Sequence, residues 1–394
     1  MARIYFDHNA TTPVAPEVAE VVATTTQTVF GNPSSVHRYG QQAKMVLDKA
    51  RASVAKLLGA EPTEIVFTSG GSESNNLAIR GAAEAAIATG RRHLVTSSIE
   101  HEAVLRTVKA LSMQGWTATL VGVDSSGIVS PERLADALRN DTALVSIMHA
   151  NNEIGTIQPV AKLAALTHEC GALFHTDAVQ SAGKIPIDAR ALDVDLLSIS
   201  AHKFNGPKGI GALWARRGAQ LRAQLTGGKQ ERSRRAGTEN VPAIAGLGVA
   251  AKLAVENQTV ALEYLGTLRD RLEGGILANV SGAERNGEAL HRVNNTCNIS
   301  FDGVEAESLL IALDLEEIAV STGSACSSGS LEPSHVLQAM GFPSHRTQNA
   351  IRFSLGLGNT EKEVDDVLAV IPAIVSRLRA VTRRGLQTTS ALRR

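Results

Sequence analysis

The run Glu64–Thr68 (EIVFT), followed by Ser69-Gly70-Gly71 and then by the alanine-rich stretch Ser74–Thr89, decides the fold class. A short β-rich run closed by a Gly/Ser turn reads as a buried strand, and the stretch after it as a helix packed back over it. The alternation continues. His93–Ser97 reads as a strand and Glu102–Gln114 as a helix. Ala143–Met148 (ALVSIM), Leu173–Thr176 (LFHT) and Asp195–Ser200 (DLLSIS) are further apolar runs, with a helix-period segment, Val160–Cys170, closed by Gly171. Such alternation predicts an α/β architecture, a mostly parallel sheet covered by helices on both faces. In such sheets ligands collect at the carboxyl ends of the strands. From about Ala243 a long helical pattern leaves this unit. The last third mixes strands (Thr296–Phe301, Ile351–Ser354) with helices (Ala306–Leu313, Glu361–Arg379), which predicts a smaller α+β domain.

Composition narrows the function. The chain has 394 residues, 39 basic and 39 acidic side chains, and 43% hydrophobic residues. That length suits two or three domains, and the apolar fraction excludes a mostly disordered chain. Zero formal charge and 3% aromatics give no pull toward nucleic acid or an anionic membrane. The basic run Lys229–Arg235 (KQERSRR) is too local to change this and is expected as a loop over a dimer interface. The 3 cysteines, Cys170, Cys297 and Cys326, are far apart and odd in number, which argues against a disulfide framework and a CxxC metal site. A reducing, cytoplasmic setting follows. The start, MARIYFDHNA, carries polar residues where a signal peptide has its apolar stretch, and no apolar run approaches the roughly 20 residues of a membrane span. The C-terminal stretch ending TTSALRR is expected as a frayed tail.

Three segments end strands with polar residues that packing does not require. Thr68–Asn75 (TSGGSESN) joins a strand to a helix, where glycines admit an anion and the helix N-terminus supplies free N–H donors. It matches neither a P-loop nor a dinucleotide fingerprint. The near match at Gly246–Ala251 lies inside a helical pattern with no strand before it, so it reads as helix packing. Asp177 follows the LFHT run, and Lys203 follows the DLLSIS run ahead of a Gly/Pro turn. Any one of these also reads as an ordinary turn, cap or surface lysine. Together, a phosphate cup, an acid and a lysine at three strand ends are what pyridoxal phosphate needs. A fourth segment, Ser321–Ser330 (STGSACSSGS), carries Cys326 among small polar residues with nothing to pack it, which makes its thiol a nucleophile candidate. Cys170 and Cys297 sit in apolar-periodic surroundings and read as inert.

The segments HNATT (8–12), FGNPSSVH (30–37), SGGSESNN (69–76), HANNEIG (149–155), HTDAVQ (175–180), SAHKFNGPKGIGAL (200–213), RAGTEN (235–240) and GSACSSGSLEPSHVL (323–337) occur in the order seen in cysteine desulfurases. The chain resembles their nitrogen-fixation and iron–sulfur-assembly branch, within the aminotransferase class V group, over nearly its whole length. The resemblance implies the fold-type I architecture of pyridoxal phosphate enzymes, a homodimer, and sulfur transfer from L-cysteine to an acceptor such as an iron–sulfur scaffold protein. It implies a large cofactor domain over 15–258 and a small domain formed by 1–14 and 259–394, with no direct nucleic-acid or membrane partner. Carried over by position, Lys203 looks like the Schiff-base lysine and proton shuttle, and Asp177 and Gln180 face the pyridine nitrogen and ring hydroxyl. His101 looks like the imidazole that stacks on the ring and relays a proton in catalysis. Gly71, Ser72, Ser200 and His202 contact the phosphate, and Thr238 reaches across the dimer. Asn152 and Arg352 grip the substrate carboxylate. Cys326 forms the persulfide; no resident metal is implied, although Cys326 is free to share an iron–sulfur cluster transiently with a scaffold. His8 stands where the family often has Asn, adding an imidazole near the pocket, and Ser72 and Ser327 stand where Thr is frequent. The rivals are a class V aminotransferase or selenocysteine lyase on the same fold, and a non-catalytic regulator.

Overall fold

The computed structural model describes residues 3–322 and 333–392, with side chains to residue 381. Cys326 and Ser327 lie outside the described residues. In chain order the strands are β1 (Ile4–Tyr5), β2 (Ile65–Thr68), β3 (His93–Ser97), β4 (Thr117–Val121), β5 (Thr142–Ser146), β6 (Leu173–Asp177), β7 (Leu196–Ser200), β8 (Gly211–Ala215), β9 (Ala283–Asn286), β10 (Thr296–Phe301), β11 (Ile318–Ala319) and β12 (Ala350–Ser354). Seven of them form the main sheet in the order β2-β8-β7-β6-β5-β3-β4. The β4–β3–β5–β6–β7 pairings are parallel, and β8 runs antiparallel to both β7 and β2. Sequence reading found neither β4 nor β8. The first is half exposed, and the second hides behind a Gly/Pro turn.

Helix Gly71–Ala86 covers one face of the sheet, with Leu77, Ala78, Ala82 and Ala83 buried against Val66, Leu94, Leu144 and Leu213. The other face carries the larger cluster, where helices Arg38–Leu57 and Val241–Glu256 pack on each other. Gly248 makes that packing close: a Cβ there would come within 2.6 Å of Ala50 Cα. A second cluster joins Ile4 and Phe6 to helices Gln258–Asn279, Ala306–Leu315 and Glu361–Leu392, around the antiparallel sheet β12-β10-β9. The C-terminal stretch expected as a frayed tail is helical to Leu392, and earlier in the same helix Ile374 and Val375 pack into the second cluster. Among the described residues no helix is long and apolar enough to cross a membrane.

The basic run is bonded within the chain. Glu231 is buried and receives both guanidinium nitrogens of Arg51, at 2.6 and 2.8 Å, together with the Phe67 amide at 3.0 Å. Arg234 donates to Thr63 and Ile65 carbonyls, and Arg235 pairs with Glu73 at 2.8 Å. Glu231, Arg232 and Ser233 all adopt positive φ, a left-handed turn costing roughly 1–2 kcal/mol per residue. The buried pair holds the turn in place and braces β2, which leads into the Gly70-Gly71 turn. We expect Glu231→Ala to lose about 3–5 kcal/mol in urea unfolding, because it strands the Arg51 charge. Arg51→Met in the same chain should recover much of that loss.

Candidate active site

The loops leaving the carboxyl ends of β2, β3, β5, β6 and β7 carry the polar residues marked by the sequence. After β2, Gly70 has φ +150°, and a Cβ on Gly71 would come within 2.8 Å of Val179 Cγ2. Only glycines let the backbone turn this tightly into helix Gly71–Ala86, whose first N–H groups have no intrahelical acceptor. Glu73 caps the turn by accepting from the Ser69 amide at 2.7 Å, and Arg235 holds Glu73 in turn. Ser200, at the end of β7, lies against Gly70 and Gly71, while Ser72 is exposed at the first turn. The cup therefore gathers Gly71, Ser72 and Ser200 at the positive end of a helix. His202 Nδ1 lies 3.1 Å from Thr11 Oγ1, and burial together with Lys203 and Lys208 brings its pKa down to about 4. Thr238 is exposed and makes no hydrogen bond among the described residues.

Asp177 closes β6 with both oxygens engaged. Oδ2 accepts from Asn75 Nδ2 at 2.6 Å and Oδ1 from the Val179 amide at 3.0 Å. Lys203 ends the short turn after β7, and its Nζ donates to the Asn9 and Ala10 carbonyls at 2.6 and 2.8 Å. Burial, and then the Arg352 charge, lower its pKa to about 8 against the opposing pull of Asp177 and Asp7. Gln180 Nε2 donates to the same Asn9 carbonyl at 2.9 Å, and its Oε1 accepts from Lys184 at 2.7 Å.

Arg352, on β12, is buried and comes from the other sheet. Nη2 bonds Asp7 Oδ1 at 2.7 Å and Nη1 the Asn152 carbonyl at 3.0 Å, while Nε is enclosed and has no hydrogen-bond partner among the described residues. Arg352 and Asn152 thus meet, through the Asn152 backbone. His101 caps helix Glu102–Ser112, its Nδ1 accepting from the Ala103 amide at 3.1 Å, with the ring exposed. Its neighbour Glu100 is fully enclosed, and burial pushes its carboxyl up to about 8. Ser334 donates to the buried Glu153 at 2.5 Å and His335 to the Glu100 carbonyl at 3.0 Å, so the residues after the Cys326 segment rest on the loops that carry Asn152 and His101.

His8, expected as a second imidazole near the pocket, is nearly enclosed. Its ring stacks edge-on against Tyr5 at 5.0 Å, and burial first, then Lys184, lower its pKa to about 4. Sequence reasoning gave no role to Asp7, Asn9, Asn75 or Lys184. Asn9 stood inside the HNATT run, but its partners lie far away in the chain and no local pattern names them.

The residues present fit pyridoxal phosphate. A glycine-lined helix N-terminus, a carboxylate closing β6, an amine of lowered pKa after β7 and an enclosed, unpartnered guanidinium Nε supply a phosphate seat, a partner for a ring nitrogen, a lysine for an aldehyde and a donor for a carboxylate.

The sequence profile of the aminotransferase class-V family matches residues 4–367. The chain is 47% identical to the cysteine desulfurase IscS of Dictyoglomus turgidum over 379 residues, covering 96% of each chain. It is 50% identical to the cysteine desulfurase IscS of Methanosarcina thermophila over 376 residues, 95% of this chain and 93% of that one. Among solved structures, a NifS-like protein superposes with a TM-score of 0.89 at 42% identity, covering 95% of this chain and 100% of its own. The motifs met in the sequence, the strand-end geometry and these relatives agree that the chain belongs to the aminotransferase class-V family and, within it, to the cysteine desulfurases.

Proposed function

We propose that the chain is a pyridoxal phosphate-dependent cysteine desulfurase, which takes sulfur from L-cysteine, releases L-alanine and holds the sulfur as a persulfide on Cys326. The observation that carries this reading is the meeting of the Lys203 amine, the Asp177 carboxylate and the Gly71 helix N-terminus at neighbouring strand ends, in a chain with a thiol in the Gly/Ser run at 326.

When bound, pyridoxal phosphate supplies a sink for the electron pair left at the substrate Cα. The backbone N–H groups of Gly71 and Ser72 hold the phosphate, with Ser200 and His202 beside them and Thr238 serving the partner subunit. Asp177 would pair with the ring nitrogen, Gln180 would serve the ring hydroxyl and His101 would lie beside the ring. Arg352 would bind the substrate carboxylate, next to Asn152. Lys203 moves the Cα proton, a task suited to an amine whose pKa lies near working pH. The Cys326 thiolate attacks the substrate sulfur: an S–S bond forms, the carbon–sulfur bond breaks, and the carbon skeleton takes up protons and leaves as alanine. We place the large domain at 15–258 and the small one at 1–14 with 259–394. The persulfide then passes to an acceptor such as an iron–sulfur scaffold protein in the cytoplasm.

A homodimer accompanies this reading. Its support is the exposure of Phe30, Val36, Tyr39 and Met45, with Phe30 and Val36 73% and 89% exposed and the Phe30 and Tyr39 rings 5.0 Å apart. Contiguous apolar exposure of this kind marks an association surface. Light scattering should give twice the chain mass, and Phe30→Glu with Tyr39→Glu should reduce it to the mass of one chain.

Lys203→Ala should fold normally yet stay colourless with the cofactor and lose turnover by about a hundredfold or more. Full activity would shift the assignment to Lys208. Because only the free amine attacks an aldehyde, colour development in cofactor-free protein should speed up as pH rises toward about 8 and level off above it. Asp177→Asn should retain cofactor but slow release of the Cα proton, measured with deuterated cysteine.

Cys326→Ser removes the nucleophile and leaves the strand-end residues in place. The variant should be yellow and change its spectrum with L-cysteine. Alanine production should collapse, and intact-mass measurement should find no added sulfur. Turnover equal to the parent would point to a class V aminotransferase or another lyase.

A further inference from the structure

Lys184 lies beneath the site, on the turn that follows β6, and is 7% exposed. Its Nζ donates to Asn9 Oδ1 at 2.6 Å and to Gln180 Oε1 at 2.7 Å. Among the described residues no carboxylate pairs with it. The charged groups that bear on it are cations, Lys203 and Arg352, and the imidazole of His8 stands nearby. An amine enclosed among cations, with only amide oxygens for partners, is an expensive feature. A methionine of similar reach would fill the space without that desolvation cost.

The chemistry of the two amides explains what the amine does. A carboxamide has an oxygen end that accepts and a nitrogen end that donates, and the two ends are nearly the same size. Lys184 offers N–H donors to both, so both must turn their oxygens toward it. Gln180 is then obliged to point Nε2 the other way, onto the Asn9 carbonyl at 2.9 Å. That carbonyl also seats the Lys203 amine at 2.6 Å. Asn9 Oδ1 accepts from Asn295 Nδ2 as well, at 3.2 Å, and its Nδ2 donates to the Asn152 carbonyl at 3.1 Å and to Thr296 Oγ1 at 2.8 Å, so the Asn9 facing is fixed from several sides. With the Gln180 amide reversed, Nζ would face an NH₂ group and the Gln180 oxygen would face the carbonyl that seats Lys203. Burial beside Lys203 and Arg352 holds the Lys184 amine well below the ordinary lysine range.

We propose that Lys184 is a positioning residue of this site: it holds the oxygen of the Gln180 carboxamide inward, so that Gln180 presents N–H rather than oxygen to the Asn9 carbonyl that seats the Lys203 amine. The proposal rests on the reading of Lys203 and Gln180 as cofactor residues. It says why a buried lysine stands where an apolar residue would cost less.

The test is Lys184→Met, read without cofactor. Lys203 is titrated in the cofactor-free chain by the pH dependence of its acylation, followed by peptide mass spectrometry. The groups bearing on it are Asp177, Asp7 and Arg352, with the His202 imidazole and the Lys184 amine also beside it. In the variant, the released Gln180 oxygen can turn to accept from the Lys203 ammonium, so its midpoint should rise by about one pH unit. The melting temperature should stay level or rise, because a buried amine has given way to an apolar chain. In a Gln180→Leu background, which has no amide to turn, Lys184→Met should leave the Lys203 midpoint where Gln180→Leu alone puts it. An unchanged midpoint in Lys184→Met would overturn the proposal. So would an equal rise in the Gln180→Leu background, which would assign the effect to loss of a nearby positive group. Misfolding or a melting temperature lowered by several degrees would make Lys184 merely structural. Because acylation needs no cofactor, these results stand apart from the failure of Lys203 to take up pyridoxal phosphate.

Discussion

Every polar atom of Asn9 is engaged, and the site is assembled around it. Its amide donates to Ser354 Oγ and its Nδ2 to Asn152 and Thr296, while its Oδ1 accepts from Lys184 and Asn295 and its carbonyl from Lys203 and Gln180. Ser354, Asn295 and Thr296 belong to the antiparallel sheet and its approach; Lys203, Gln180, Lys184 and Asn152 belong to the ends of the main sheet. One nearly inaccessible residue on the N-terminal strap thus ties the two sheets together where the chemistry takes place. A buried polar network of this kind is costly when partly satisfied and rigid when complete. Here the rigidity falls on the lysine that must be placed most accurately.

Charge in the pocket follows from the same burial. Three basic groups, Lys203, Lys184 and Arg352, share a small volume, and none of them can be ionised there without an opposing term. Arg352 has Asp7, and Lys203 has the more distant pull of Asp7 and Asp177. Lys184 has only amides for partners, and burial beside two cations holds it well below the ordinary lysine range. Glu100, enclosed behind His101, keeps its proton for the converse reason. The result is a site whose amines are less basic than free lysine and whose guanidinium retains an unpartnered N–H. Such a site is prepared for a substrate that arrives with a carboxylate and leaves a proton behind.

Support for the cup comes from outside it. The left-handed turn at Glu231–Ser233 is unfavourable by itself, and it is kept by the Arg51 pair and by the arginines that grip β2 and Glu73. What reads in composition as a basic surface run is a brace for the phosphate end of the site.

Much of the fold was legible in the residues because its causes are local. Alternation of buried strands with helices, and the turn chemistry of Ser69-Gly70-Gly71, specify a parallel sheet and an anion cup within a few residues of chain. Lys203 and Asp177 could be singled out for the same reason, each ending a recognisable strand. The insertion of β8 antiparallel between β7 and β2, the Arg51–Glu231 pair, the Asp7–Arg352 pair and the Asn9–Lys184 network were decided only in three dimensions. Asp7 and Arg352 are separated by 345 positions and Asn9 and Lys184 by 175. No periodicity or spacing encodes such partners, since the bonds exist only once two separately packed sheets bring their ends together and exclude water from between them.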